Sequence, residues 1–299
     1  MKNFLNKRNP PWVLITGGSH GIGRALTLEC VDRGYAVAVA ALGDHHLDQL
    51  RQELHARPGA VFSLLGTDLT AAGAGDRIEA WLDRQGGELH YLINNAGFGR
   101  GGCFEATPWA EYATMLALNN RVLVELTYRL LPRLLPHGGG ILNLSSMEAT
   151  MPLPYKTVYT GTKAFVYNFT LALRQELAHR GLSATVLCPG PVITNEDGMR
   201  RVHAQGWRAK LLVKLPEDIA PAAVDGMLAG RDVVRPGLLV RFLIGLSYVV
   251  PRRARMRILE RLFRRYREEE EAPAAGAPKK SMPSKPSVTS QSRAASVSS

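Results

Sequence analysis

Apolar positions along this chain follow two alternating patterns. Short runs of β-branched and other apolar residues are separated by longer segments in which apolar residues recur at helical spacing. This alternation predicts an α/β fold, a doubly wound parallel sheet of about seven strands with helices on both faces. The predicted strands are 12–16, 36–41, 61–65, 91–94, 140–145, 184–187 and 233–234. The predicted helices begin near Gly21, Asp44, Ala74, Trp109, Val158 and Pro216.

The composition is that of an ordinary globular protein. Hydrophobic residues make up 45% and charged residues 21% of the 299 residues, which argues against a disordered chain or a membrane bundle. Cys30, Cys103 and Cys188 are an odd number, far apart and without metal-ligand spacing. We therefore expect no disulfide framework and no metal site.

The net charge of +11 is concentrated at the C-terminal end. Fifteen basic and six acidic residues follow position 230, which leaves 22 basic and 20 acidic residues in 1–230. We expect an α/β domain over 1–235, an apolar and basic helical extension over 236–271 and a disordered Ala/Pro/Ser/Lys tail over 272–299. The apolar run 12–15 after the basic start is too short for a signal-peptide core, so we predict a cytoplasmic location.

A glycine cluster follows the first predicted strand directly. The sequence TGGSHGIG, residues 16–23, leads into an amphipathic helix. Glycines there allow a tight turn and close approach to a pyrophosphate, which the helix N-terminus would hold. A plain strand-to-helix turn is the alternative, but the strand before and the helix after favour a dinucleotide site.

Three further motifs follow in order. NNAG, residues 94–97, ends the fourth strand and could either order its loop or contact a ligand. Ser146 follows the fifth strand, and Tyr159 and Lys163 lie four residues apart further on. Residues at this spacing share one helix face, so the ammonium is expected to lower the pKa of the phenol toward the range useful in proton transfer. An exposed helix pair is the alternative for Tyr159 and Lys163 alone.

Taken together, TGxxxGxG, NNAG, Ser and YxxxK resemble the short-chain dehydrogenase/reductase family over residues 11–237. The stretches NNAGFG, VYTGTKAFV and CPGPVIT are similar to a bacterial branch of broad specificity. The resemblance implies a Rossmann-type fold. It also implies an NAD(P)-dependent oxidoreductase that interconverts a carbonyl and a secondary alcohol. The glycines 101–102 and the Met, Trp and Leu residues of 195–214 suggest a mobile, apolar lid, so we expect a small, apolar substrate.

The resemblance also implies residue roles. Tyr159 would be the general acid/base, Lys163 would lower its pKa and bind the nicotinamide ribose, and Ser146 would hydrogen-bond the substrate oxygen. Asn119 would support a water-linked proton relay, with a one-residue slip to Asn120 as the alternative. The residues implied to bind the cofactor are Gly17, Ser19, His20, Gly21, Ile22, Gly23, Asp68, Leu69, Asn95, Ala96, Gly97, Tyr159, Lys163, Pro189, Gly190, Val192 and Thr194.

The segment that would distinguish the two cofactors departs from the family pattern. An acidic residue at Ala41 would bind the ribose 2′-OH of NAD, and an arginine at Leu42 would hold the 2′-phosphate of NADP. Neither is present. His20 stands where NADP-preferring members often carry a basic residue, which favours NADP over NAD.

Two other classes of protein remain open. One is a catalytically silent, NAD(P)-sensing Rossmann protein, and the other is a membrane-surface adaptor that uses the fold as a scaffold. The intact Ser146, Tyr159 and Lys163 argue against the silent protein. The expected partners are a small-molecule substrate and a second copy of the chain.

The C-terminal extension combines an apolar helical face with eight arginines in 252–267. The run 237–250 is too short to span a bilayer. The extension either packs on the fold or a second subunit, or binds the anionic inner membrane surface peripherally. Nucleic acid is disfavoured, because Phe263 and Tyr266 are the only aromatics of the basic run and four glutamates follow at 268–271.

Overall fold

The computed structural model describes residues 10–192, 214–237, 245, 249–264 and 266–267. Within them lies a parallel sheet of seven strands in the order β3-β2-β1-β4-β5-β6-β7. The predicted doubly wound sheet is therefore confirmed. The strands are β1 Trp12–Thr16, β2 Ala36–Ala41, β3 Phe62–Gly66, β4 Leu89–Asn94, β5 Gly140–Leu144, β6 Ser183–Leu187 and β7 Val233–Val234.

The predicted helix starts agree with the structure to within one residue. A π-helical turn, Ala117–Arg121, joins the fourth and fifth helices, so they read as one segment in the sequence. The helices are α1 Gly21–Asp32, α2 His45–His55, α3 Ala74–Asp83, α4 Trp109–Leu116, α5 Val122–Leu134, α6 Thr157–Leu177, α7 Pro216–Leu228 and α8 Arg252–Phe263.

The two faces of the sheet carry separate apolar cores. Leu14 belongs to the core on the side of α3 and α5, whereas its neighbours Val13 and Ile15 belong to the core on the side of α1 and α7. Successive residues of a strand point to opposite faces, so a strand buried on both sides is apolar throughout. All five residues of β1 are buried, which explains why this strand was predicted with its bounds intact.

Strand β4 begins two residues earlier than predicted. Leu89 and the half-buried His90 already belong to it, and the N–H of Trp12 donates to the carbonyl of Glu88 at 2.9 Å. The polar side chains of Glu88 and His90 hide this pairing in the sequence. The predicted tail 272–299 and most of the apolar run 237–250 lie outside the described residues.

A column of buried polar side chains links the sheet to α6. The Asn94 amide donates to the side-chain oxygens of Asn143 at 2.9 Å and of Thr127 at 3.1 Å. The Asn143 amide donates in turn to the hydroxyl of Thr170 in α6, also at 2.9 Å. Buried polar groups stabilise a fold only when they are paired, so this column fixes α6 on β4 and β5.

We expect Asn143→Ala to lower the free energy of unfolding by about 1–3 kcal/mol, because it leaves the Asn94 amide without its acceptor on β5. Denaturant unfolding measures this. Asn168→Ala is the matched control, since Asn168 is exposed on the same helix that receives the column and should change stability by less than about 0.5 kcal/mol. Equal losses in the two variants would contradict the role given to the column.

Candidate active site

The turn between β1 and α1 and the start of α1, residues 17–23, form a glycine-rich loop that we call the glycine cradle. Gly17 and Gly21 have φ of +62° and +54°, in the left-handed region that glycine adopts without strain. A Cβ at Gly23 would overlap the carbonyl oxygen of Gly17. The backbone of α1 can therefore approach a ligand closely.

The amide of Asn95 holds this cradle in place. Its nitrogen donates to the carbonyls of Thr16 and Gly17, each at 3.0 Å. The hydroxyl of Thr16 accepts from the backbone N–H groups of Asn95 and Ala96, each at 3.1 Å. Of the two roles left open for NNAG, the structure shows that the Asn95 side chain orders the loop.

The cradle fits a dinucleotide. The N-terminus of α1 has no side-chain cap, so its first N–H groups are available to a phosphate. Ser19 is buried there and His20 is exposed. The ring of His20 lies 4.4 Å from the ring of His46, and His46 lies 3.9 Å from His45, so three imidazoles adjoin the segment after β2.

The other residues implied to bind cofactor lie at neighbouring strand ends. Leu69 is buried, and the Asp68 carboxylate accepts from the N–H and hydroxyl of Thr70 at 2.8 and 2.7 Å. Pro189 accepts from Met147 N–H at 2.9 Å, and Val192 pairs with Lys214. Thr194 lies outside the described residues.

The three residues of the predicted chemical group converge. Ser146 follows β5, and its side chain is close enough to the phenol of Tyr159 for hydrogen bonding between them to lower the phenol pKa. The ammonium of Lys163 donates to the Leu144 carbonyl at 2.9 Å and lies 5.9 Å from the centre of the Tyr159 ring. A Cβ at Gly99 would lie 2.7 Å from the same ring, so glycine is needed there.

The pKa of Tyr159 is raised, whereas the sequence predicts a lowered value. Burial, and next the negative charge of Glu148, raise the pKa of Tyr159 to about 12, against the opposing effect of the Ser146 hydrogen bond. Burial also lowers the pKa of Lys163 to about 8. The sequence predicts a lowered tyrosine pKa because helix spacing shows the cation but not the burial or the nearby carboxylate.

The two asparagines of the π-helical turn, Asn119 and Asn120, have different hydrogen-bond partners. Asn119 is buried, accepts from Phe98 N–H and donates to the Phe98 carbonyl and the Thr162 hydroxyl, all at 3.0 Å. Asn120 donates instead to the Thr162 carbonyl. A Cβ at Gly97 would lie 2.7 Å from the Asn119 oxygen and 3.5 Å from the Lys163 nitrogen. Asn119 is therefore the asparagine beside the loop of the site.

Sequence reasoning missed an ion pair beside the tyrosine. Glu148 accepts from Lys156 at 2.8 Å, with side chains 19% and 21% exposed. The second carboxylate oxygen of Glu148 is buried and has no partner among the described residues. Lys156 also lies 5.9 Å from the centre of the Tyr159 ring. Neither residue belongs to a motif, so only their positions in space reveal them.

One cluster of potential metal ligands lies apart from this site. The carboxylate of Glu88 is 3.5 Å from His90 and 3.6 Å from His137. Glu88 and His90 lie at the amino end of β4, whereas Asn95 follows its carboxyl end. The cluster is therefore not part of the candidate active site. The sequence does not reveal it, because His137 lies far along the chain from Glu88 and His90 and meets them only in the fold.

A dinucleotide cradle and a Ser–Tyr–Lys group at the carboxyl edge of one parallel sheet define a Rossmann-type enzyme. The model of the short chain dehydrogenase family matches residues 11–203, and the chain belongs to that family. Members of the family use NAD or NADP and are commonly oligomeric.

Two curated relatives and one solved structure show the range of similarity. The probable oxidoreductase EphD of Mycobacterium tuberculosis is 28% identical over 267 residues, 83% of this chain and 45% of that protein. Serine 3-dehydrogenase of Rhizobium radiobacter is 34% identical over 179 residues, 60% of this chain and 70% of that one. A 7beta-hydroxysteroid dehydrogenase structure has a TM-score of 0.77 at 20% identity, covering 85% of this chain and 98% of that one. This chain thus spans less than half of the EphD protein.

Among the described residues, no helix is both long and apolar enough to cross a membrane.

Proposed function

We propose that this protein is an NAD(P)-dependent oxidoreductase that interconverts a carbonyl and a secondary alcohol on a small, apolar substrate. The observation that carries the proposal is the convergence of Ser146, Tyr159 and Lys163 beside the glycine cradle. The apolar substrate is supported by Phe98 and Phe104, which are exposed on the loop after β4. We also propose that the protein forms a homo-oligomer.

Each group has a task that its surroundings permit. Tyr159 exchanges a proton with the substrate oxygen, and the Ser146 hydroxyl hydrogen-bonds that oxygen as charge develops on it. Lys163 is held by the Leu144 carbonyl and binds ribose hydroxyls. Asn119 lines the proton path beside Phe98. The bound nicotinamide supplies or accepts the hydride.

The raised pKa of Tyr159 affects the pH dependence of the two directions of reaction differently. A phenol with a pKa of about 12 is protonated near neutral pH, and a protonated phenol can donate to a carbonyl oxygen. Alcohol oxidation needs the phenolate instead, which forms at higher pH. We therefore expect alcohol oxidation to need a higher pH than carbonyl reduction.

NADP is the proposed cofactor in preference to NAD. The imidazoles of His20, His45 and His46 adjoin the segment that contains Ala41 and Leu42. The acidic side chain at the end of this segment, Asp44, caps α2 by accepting from the N–H groups of His46 and Leu47. Imidazole N–H groups there can donate hydrogen bonds to a 2′-phosphate. The cofactor set carried over from the resemblance, Thr194 included, belongs to this proposal.

The catalytically silent NAD(P) sensor is the competing function. It shares the cradle and the fold, so cofactor binding does not separate the two proteins. Turnover of a panel of ketones and aldehydes with NADPH separates them.

We expect Tyr159→Phe to lower turnover by about 10²- to 10⁴-fold, the range of general acid–base catalysis. Cofactor affinity should stay within a few-fold, because the ring still packs on Gly99. Steady-state reduction of a ketone and cofactor titration measure the two effects. Tyr128→Phe is the control, because Tyr128 is 80% exposed on α5. Retained turnover in Tyr159→Phe would refute the assignment.

Glu148→Gln should shift the pH dependence of alcohol oxidation. The Glu148 charge raises the pKa of Tyr159, so its removal lowers that pKa and the phenolate forms at lower pH. We expect the rising limb of the rate against pH to move to lower pH. Glu105→Gln removes the same charge from an exposed position and should leave the limb in place. A shift to higher pH, or no shift, would contradict the electrostatic role of Glu148.

His46→Ala should lower the preference for NADPH over NADH, because it removes an imidazole N–H that can donate to the 2′-phosphate. The ratio of the two kcat/KM values measures this preference. His179→Ala, at an exposed position after α6, should leave the ratio unchanged. Ala41→Asp should favour NADH, because a carboxylate accepts from the ribose 2′-OH. A strong NADH preference in the unsubstituted protein would contradict the proposed cofactor.

A further inference from the structure

The inner face of α8 lies on the rim of the candidate active site. The hydroxyl of Tyr155 donates to Glu260 of α8 at 3.4 Å. The ammonium of Lys156, which pairs with Glu148, lies 5.6 Å from the centre of the Phe263 ring. α8 therefore contacts the segment between Ser146 and Tyr159 directly.

Two further contacts extend this docking. Tyr266, just beyond α8, packs on Gly101, where a Cβ would lie 2.7 Å from its ring. Met256 closes one side of a largely apolar cavity of about 420 Å³, whose other walls are the segment 149–154 and the start of α6. The loop after β4 and the segment after Ser146 are thus both bordered by α8.

Tyr155 is strained where it meets α8. Its φ is +63°, which makes it the one described residue other than glycine with a positive φ. Such a conformation is uncommon for a bulky residue and has to be held by its surroundings. The Tyr155 carbonyl accepts from Gly102 N–H at 2.8 Å, and its hydroxyl donates to Glu260. Contact with α8 is therefore part of the local geometry of the site.

The outer face of α8 is both apolar and basic. Ile258 and Leu262 are 58% and 66% exposed and lie four residues apart, so they form one strip. Arg257 and Arg261 are exposed at the same spacing directly beside them. The acidic residue of the helix, Glu260, belongs to the inner face and pairs with Arg264 at 2.7 Å.

This combination identifies the chemistry of the partner. Exposed leucine and isoleucine side chains are stabilised by transfer to an apolar environment, and the arginines beside them are attracted to anions. A nucleic acid offers phosphates but no apolar layer along the 12-residue helix. An anionic bilayer offers both at the depth of its headgroups, where basic amphipathic helices lie in the plane of the surface.

We propose that α8 attaches the protein to an anionic bilayer through Ile258, Leu262, Arg257 and Arg261, with the rim of the active site held against the membrane. Attachment does not depend on the proposed activity. One consequence does rest on it: an apolar substrate would enter the site from the bilayer.

Flotation of the full chain with vesicles tests the attachment. We expect binding to vesicles that contain phosphatidylglycerol at low salt, weaker binding at high salt and little binding to pure phosphatidylcholine. Arg257→Gln/Arg261→Gln should lower the partition coefficient by roughly 25-fold, since each basic residue near the surface is worth about fivefold. Arg51→Gln/Arg84→Gln removes the same charge from exposed positions of the α/β domain and should change it by less than about twofold. An equal loss in both double variants would overturn the assignment to α8.

The apolar strip has its own variant. Ile258→Ser/Leu262→Ser should lower vesicle binding at unchanged unfolding midpoint, because both side chains are exposed. A lower midpoint, or a smaller mass in sedimentation, would show that this face is covered by the chain itself or by a second copy, and would overturn the proposal. Binding to duplex DNA that survives this double variant, without vesicle binding, would also overturn it. Reduction of a water-soluble ketone in the absence of vesicles should be unchanged in all these variants. This control distinguishes a loss of attachment from a loss of the proposed activity.

Discussion

The close approach of β1 and β4 at their carboxyl ends is the constraint on which the site depends. The Asn95 amide spans both strands by donating to the carbonyls of Thr16 and Gly17. The junction also requires glycine at position 23 in α1, where a Cβ would overlap both the Gly17 carbonyl oxygen and the Asn95 amide nitrogen. β1 and β4 are neighbours in the sheet although β2 and β3 lie between them in sequence order, so the chain turns toward opposite halves of the sheet here. Crevices at such switch points are where open α/β sheets bind ligands.

The positions of Tyr159 and Lys163 depend on this edge of the sheet, because the helix that carries them, α6, is attached to β4 and β5. The column from Asn94 through Asn143 to Thr170 fixes α6 against β4 and β5. The same helix carries Tyr159 and Lys163 in its first two turns. Burial that secures the helix also changes its chemistry, because charged forms are disfavoured away from water. The pKa of Lys163 falls to about 8 and that of Tyr159 rises to about 12 for this shared reason.

The pattern of apolar residues along the chain was sufficient to predict the strands that are buried on both faces. β1 and β2 are buried at every residue, so their apolar runs mark both ends. The pattern failed where pairing partners are polar, as at Glu88 and His90, because hydrogen bonds of the backbone leave no trace in side-chain type. The motif residues Ser146, Tyr159 and Lys163 could be placed from spacing on a helix and at a strand end. The Glu148–Lys156 pair could not, since burial of a charge is a property of the folded neighbourhood.

The charge pattern of α8 is unfavourable for the helix itself. Arg253, Arg257 and Arg261 succeed one another at four-residue intervals, and like charges at that spacing destabilise a helix by a few tenths of a kcal/mol per pair. A helix of 12 residues is marginal in water without packing. Its inner contacts with Tyr155 and Lys156 supply that packing, but the exposed Ile258 and Leu262 add nothing to it. The outer face therefore costs stability in the isolated protein, and a surface that takes up both its arginines and its apolar side chains is the environment in which that cost is offset.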